Sequence, residues 1–342
     1  MATTSAMANQ RSNSHGLVIW LARFRELGII LFLIAIVLLV TAIEPRFLTL
    51  FNIRSILLWV PLLTVVAMGE MMVVITRGID ISIGSILGFA GIAVGMIFRD
   101  HPGFNIYLAT LLGILIGMVL GAFNGALIAW VKVPPIIATL GTLSMYRGLT
   151  FVLSGGRQID PNHVPSDLIR WSQSGPGGID LVPWVVIIAL VVTVLAYLFM
   201  RYTRAGRNVY ALGSNPEAAD LRGVPVAWTK LIVYAITGAM AGLAGVLYAS
   251  RFGFVNPGQT GVGFELTVIA AVVIGGTNVF GGSGSVLGVL LGCLLLGTIN
   301  VALAVLGIAA TWQLAVYGFV ILLAVATDAI IQTKLRRAAT GE

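Results

Sequence analysis

Apolar runs close to twenty residues long follow one another from residue 27 almost to the C-terminus of this chain. They lie near 27–43, 56–76, 81–98, 105–131, 134–153, 181–200, 229–250, 266–280, 284–304 and 308–329. A helix needs about 20 such residues to cross the hydrocarbon core of a bilayer. Only 10% of the residues are charged, against about 25% in a soluble domain, so the chain has too little polar surface to face water. The pattern predicts an all-α polytopic membrane protein of about ten transmembrane helices. The runs that begin near 56 and 266 carry glycine-rich polar breaks. Either could be a full span, a half-helix or a re-entrant piece.

Positive charge sets the orientation of such a chain. Arg11, Arg23 and Arg25 precede the first run. Arg201, Arg204, Arg207, Arg222 and Lys230 lie in or beside 201–228, and Lys334, Arg336 and Arg337 follow the last run. With ten spans these regions and Lys132 share one side, the cytoplasm. The longest opposite loop, 154–180, sets Arg157 and Arg170 against Asp160, Asp167 and Asp180. This organisation predicts a cytoplasmic N-terminal tail over 1–26, one membrane domain over 27–330, and a cytoplasmic C-terminal tail over 331–342. Residues 17–24 are mildly amphipathic and suit the inner membrane surface. No cleavable signal peptide is apparent.

The net charge of +7 is therefore a topology signal. No basic patch interleaved with aromatics points to nucleic acid. The single cysteine, Cys293, lies in an apolar run and reads as a packing residue. The chain has no phosphate-binding G-x-x-x-x-G-K-[ST] string and no H-E-x-x-H. His15, His101 and His163 all fall in tails or loops. No metal site and no catalytic residue is expected.

Two glycine-rich strings interrupt the apolar pattern in related ways. Val73-Val74-Ile75 runs through Thr76-Arg77-Gly78-Ile79-Asp80-Ile81-Ser82-Ile83 into Gly84-Ser85-Ile86-Leu87-Gly88. Val272-Val273-Ile274 runs through Gly275-Gly276-Thr277-Asn278-Val279-Phe280-Gly281-Gly282-Ser283 into Gly284-Ser285-Val286-Leu287-Gly288. Polar backbone at membrane depth is tolerated where protein or a water-filled cavity surrounds it. Paired breaks in two halves of a membrane protein point to a transport pathway. The ten-span count makes the repeats parallel; one miscounted span would make them inverted.

Few ionisable residues fall within the runs: Glu70, Asp80, and near run ends Arg147 and Glu265. Each needs a partner or a wet cavity. Asp80, two residues before Ser82, reads as an N-cap for the helix that follows. Glu70 sits mid-helix, where no cap is available, and suits a polar contact near a translocation cavity or pairing with another helix. Glu265 opens its run and suits the interface. Arg147 suits a snorkelling position.

The stretch 201–228 looks the most soluble. Ser214 or Asn215 can cap, Pro216 suits a first turn, Glu217 and Asp220 favour the helix dipole, and Gly223 can end the helix. A surface helix of about seven residues is predicted, marginal by itself. By spacing alone it is a connecting loop or a docking element.

In combination these strings resemble the membrane-spanning permease subunits of bacterial ATP-binding-cassette importers of the ribose type. The resemblance rests on Gly78-Ile79-Asp80-Ile81-Ser82-Ile83-Gly84-Ser85, on Ala138-Thr139-Leu140-Gly141-Thr142 with Tyr146-Arg147-Gly148, and on Ala211-Leu212-Gly213-Ser214-Asn215 with Glu217-Ala218-Ala219. It rests also on Gly263-Phe264-Glu265-Leu266 followed by Ile269-Ala270-Ala271-Val272-Val273-Ile274-Gly275-Gly276-Thr277. It covers roughly 27–330.

The resemblance implies a monosaccharide importer in a bacterial inner membrane. A periplasmic binding protein would deliver the sugar, two permease chains, identical or sister, would form the path, and ATPase subunits would drive it. ATP and Mg would be used by the partner, with no cofactor on this chain. Gly213, Ser214, Asn215, Glu217, Ala218, Ala219 and Gly223 would form the coupling helix that docks on the ATPase. Glu70 departs from the small or hydroxyl residue expected of ribose permeases and would belong to substrate choice. Members serving rhamnose and autoinducer-2 look at least as similar as those serving ribose, and the reading leans to a deoxy-sugar or related monosaccharide. Glu70, Thr76, Asp80, Ser82, Ser85, Thr277 and Asn278 are the expected polar lining of the pathway. The rival readings are an ion-coupled secondary transporter of a small polar solute and an intramembrane enzyme. The first would need more ion-carrying groups in the spans, and the second a convergent catalytic set.

Overall fold

The computed structural model describes residues 26–178 and 181–309, with scattered positions as far as 326. The expected tails and most of the run at 308–329 lie outside the described residues. Among the described residues twelve α-helices follow in order: α1 Glu26–Ile43, α2 Leu50–Ile75, α3 Ile83–Asp100, α4 Ile106–Ala129, α5 Pro135–Ser154, α6 Ser166–Gln173, α7 Trp184–Tyr202, α8 Arg204–Ser214, α9 Pro216–Leu221, α10 Val226–Phe252, α11 Phe264–Ile274 and α12 Val286–Val305. Eight of them are long and apolar enough to cross a membrane. Among the described residues there is no strand, only an isolated bridge between Ile159 and Val255. The chain is an all-α polytopic membrane protein.

Of the alternatives open for the run at 266–280, the structure shows the half-helix. The run at 266–280 forms only the eleven-residue α11, because Gly275 and Gly276 end the helix. Half a crossing is helical and the rest is loop.

The central helix is α2. Every residue of α2 from Val60 to Ile75 is buried, as suits a helix that is apolar all round. Its neighbours α10, α12, α7 and α11 enclose it. Lipid provides no hydrophobic force to press helices together, so close backbone contact must do it. Along α4, Gly113, Gly117, Gly121 and Gly125 face α10, where Gly238 and Gly242 answer them. A Cβ on Gly117 would fall on the Gly238 carbonyl and 2.8 Å from Gly242 Cα, and a Cβ on Gly238 would fall on the Gly117 carbonyl. The seam exists because neither helix has a side chain there.

Contacts sort the loops to two faces. On one, Gly282 donates its N–H to the Ile75 carbonyl at 2.9 Å, and Ser285 donates to Glu26 at the start of α1 at 2.9 Å. On the other, Ile159 and Val255 exchange backbone bonds, Ser250 donates to the Leu168 carbonyl, and Arg54 donates to the Gln173 carbonyl. Both glycine-rich breaks therefore lie on the same face, the parallel arrangement.

Candidate functional site

The first break begins with a helix stop. Thr76 closes α2, Arg77 takes a left-handed φ of 66°, and the chain reverses. Arg77 N–H donates to the Val74 carbonyl at 2.9 Å and Gly78 N–H to the Val73 carbonyl at 3.1 Å. This pair of bonds is the Schellman arrangement, which normally has glycine at the left-handed position. The chain then climbs back beside α2, and α3 starts inside the protein.

A buried polar network holds that return. Glu70 Oε1 accepts the Asp80 N–H at 3.0 Å. Asp80 Oδ1 accepts from Ser82 N–H at 2.9 Å and Ser82 Oγ at 2.6 Å. Asn124 donates to Ser82 Oγ at 2.8 Å, and Tyr146 donates to the Leu120 carbonyl at 2.8 Å. Thr139 donates to the Ile79 carbonyl at 3.2 Å. Asp80 is not the N-cap read from the sequence. The cap position is Ser82, and Asp80 acts one step earlier by folding the chain onto Ser82. Glu70, Asp80, Ser82 and Ser85 have no exposed surface and Thr76 is buried too. Ser85 donates to the Ser82 carbonyl and Thr76 to the Val73 carbonyl. Glu70 Oε2, Asp80 Oδ2 and Tyr234 OH find no partner among the described residues.

The second break repeats the stop atom for atom. Gly276 N–H donates to the Val273 carbonyl at 3.0 Å, Thr277 N–H to the Val272 carbonyl at 3.1 Å, and Gly276 has φ 94°. Gly276 stands where Arg77 stands. Thr277 is buried. Asn278 folds the next turn, its Oδ1 accepting from Phe280 N–H at 2.9 Å. The repeat ends at the serines: Ser285 caps α12 through the Gly288 N–H, whereas Ser85 lies inside α3.

A third polar string has no counterpart in the sequence reading. After α10 the chain turns inward, and Gly261 packs backbone to backbone on Gly84 at the start of α3. Thr260 is fully buried, and its carbonyl lies 2.8 Å from where a Cβ on Gly88 would sit. Arg147 does not snorkel outward; its Nη1 donates to the Thr260 carbonyl at 2.7 Å. Glu265, in the first turn of α11, turns Oε2 towards Gly84. The signal was present in Gly258-Gln259-Thr260-Gly261-Val262-Gly263, a glycine-rich string between apolar runs like the other two.

The stretch 201–228 holds two helices. α9 is the expected one: Asn215 Oδ1 accepts the Ala218 N–H at 3.0 Å, Pro216 opens it, and Gly223 follows with φ 77°. α8 was hidden by its arginines and glycines. It buries Gly206, Val209, Leu212 and Gly213, a helical spacing, and Thr203 caps it through the Gly206 N–H. Ala219 anchors α9 while Glu217, Asp220, Leu221 and Arg222 face out. Leu221 is 90% exposed.

α8 ends against both breaks. Arg77 donates through Nε to the Gly213 carbonyl at 2.7 Å and through Nη2 to the Ser214 carbonyl at 2.8 Å. Gly213 packs on the Ile75 carbonyl, and a Cβ there would lie 2.6 Å from Gly282 N. Tyr210 donates to the Gly284 carbonyl at 3.1 Å; burial raises its phenol above the ordinary pKa, which keeps the donor protonated. Among the described residues no three His, Cys, Asp or Glu side chains could hold a metal ion.

Residues 52–325 match the family described as branched-chain amino acid transport system / permease component. The autoinducer 2 import system permease protein LsrC of Escherichia coli O9:H4 (strain HS) is 35% identical over 313 residues, covering 92% of this chain and 89% of that protein. The protein of the same name from Photorhabdus luminescens is 35% identical, covering 92% of each chain. That from Salmonella typhi is also 35% identical, covering 92% of this chain and 88% of its own. No solved structure matches. With this family's match and these relatives spanning nearly the whole membrane domain and both breaks, the chain belongs to the transport-system permease components.

Proposed function

We propose that the chain is the membrane-spanning permease subunit of a bacterial ATP-binding-cassette importer for a monosaccharide or a similar hydroxyl-rich solute of the ribose, rhamnose or autoinducer-2 type. The observation that carries this reading is the seat of α8 and α9. They present an outward-facing helix on one side and touch both membrane breaks on the other. A transport subunit driven from outside itself needs such a connection. The relatives' printed solute, autoinducer 2, and the family's printed solute, branched-chain amino acids, differ. The polar but mostly uncharged lining favours the former class.

In this reading Gly213, Ser214, Asn215, Glu217, Ala218, Ala219 and Gly223 form the element that docks on an ATPase subunit, which uses ATP and Mg. That face is cytoplasmic, as are both termini, and the protein sits in the inner membrane. A periplasmic binding protein delivers the solute, and a second permease chain completes the path. No covalent chemistry occurs on this chain. Motion of α9 carries α8, and α8 carries the ends of α2 and α11. Glu70, Thr76, Asp80, Ser82, Ser85, Thr277 and Asn278 serve the pathway as the polar frame of the two breaks. The unused oxygens of Glu70, Asp80 and Tyr234 support that assignment, as polar groups left over for the hydroxyls of a passing solute. The solute biases the cycle only through different affinities for the two openings.

The test is ATP hydrolysis by the complex purified with its membrane partners. Solute-loaded binding protein is expected to stimulate it. Absence of any associated ATPase in well-folded material would remove the reading.

A further inference from the structure

Arg77 is an unexpected residue where it stands. A left-handed φ is unfavourable for a residue that carries a side chain, and the equivalent position of the second break is Gly276. Arginine is held there by what its guanidinium reaches. Nε and Nη2 take the carbonyls of Gly213 and Ser214, the last two residues of α8. Carbonyls at a helix C-terminus lack partners within the helix and carry partial negative charge, so a cation satisfies both needs. The surrounding joint has no slack. Gly213 lies on the Ile75 carbonyl, Gly281 has φ 88° with its backbone against Arg77 Cγ, and Gly282 has φ 81° with its backbone against Ser214. The Gly282–Ile75 bond then ties in the second break.

We propose that Arg77 is the positioning residue that joins α8 to both breaks, and that this joint stays closed and moves as one body through the transport cycle. The proposal rests on the reading that the 204–223 segment docks on an ATPase. Backbone packed on backbone at three glycines has no side chains to re-pack, which suits a rigid strut rather than a hinge. Arg77 itself does not need to touch solute.

Arg77→Gly is the discriminating variant. It keeps the left-handed helix stop, as Gly276 does in the second break, and removes only the guanidinium. The complex with its ATPase, in lipid nanodiscs and proteoliposomes, is expected to keep ATPase stoichiometry and basal hydrolysis. Solute moved per ATP should fall about tenfold, the scale of losing charge-assisted bonds. Arg77→Lys, which keeps the charge but not the fork, should fall between. The double variant Arg77→Cys with Ser214→Cys supplies a readout that a structural role would not move. Uncoupled when reduced, it should regain coupling when a short bifunctional methanethiosulfonate bridges the two thiols. Unchanged solute per ATP in Arg77→Gly would overturn the proposal. So would loss of residual transport on bridging, which would show that the joint must open. Failure of the unsubstituted chain to retain any ATPase would instead remove the docking reading, and the proposal with it.

Discussion

Gly282 gives its backbone N–H to the carbonyl of Ile75 at 2.9 Å, so the loop after α11 completes the end of α2. Two helices that stop by the same Schellman bonds are thereby fastened to each other, and the end of α8 is pressed into the seam between them. A Cβ at Gly213 would fall on the Ile75 carbonyl. Gly213→Ala is therefore expected to wedge the joint, at about 1–3 kcal/mol as for other overpacked sites. Uptake should fall while the ATPase remains bound, as measured by transport alongside co-purification. Normal uptake would mean that the close packing has no part in transmission.

Glu70 should matter as an acceptor more than as a charge. Its bond to the Asp80 N–H is buried, and removing one partner of such a bond costs about 1–3 kcal/mol. Glu70→Ala should lower the thermal midpoint in detergent and reduce uptake. Glu70→Gln keeps a carbonyl oxygen and should lie closer to the parent in stability. Equal loss in both variants would show that the carboxylate does more than hold the break.

The α4–α10 seam gives a prediction with its own control. Gly117→Val places methyls into the Gly238 backbone and should cost about 1–3 kcal/mol or separate the helices. Gly141 on α5 has nothing within 4 Å of an added Cβ. Gly141→Ala should be neutral or gain up to about 1 kcal/mol from helix propensity. Thermal unfolding in one detergent compares the two directly.

Leu221 offers the cleanest probe of docking, since it is 90% exposed and supports nothing within the chain. Leu221→Asp should leave the fold and its thermal midpoint unchanged and weaken retention of the ATPase subunit. Undiminished retention would place the docking surface elsewhere on 204–223.

The membrane spans were legible because lipid allows few alternatives to an apolar helix. The breaks were legible because glycine and polar residues are costly there. Asn215, Pro216 and Gly223 announced α9 because each has a fixed role at a helix end. What lay hidden was long-range pairing. Arg204, Gly206 and Gly213 read as loop composition, yet the glycines are needed where α8 meets α7 and Ile75. Arg147 looked like an interfacial arginine because its partner, the Thr260 carbonyl, is a backbone group that no side-chain pattern marks. Asp80 was seen to organise the start of α3, but not that it would do so through Ser82 and under the hold of Glu70.

The energy source of transport tests the account most directly. The chain, reconstituted in proteoliposomes with its ATPase and supplied with solute-loaded binding protein, should take up solute only when ATP reaches the ATPase. Uptake should persist when ionophores collapse the proton and sodium gradients. Uptake that needs no ATP and disappears with the gradients would contradict the account and make Glu70 and Asp80 ion-carrying groups of a secondary transporter.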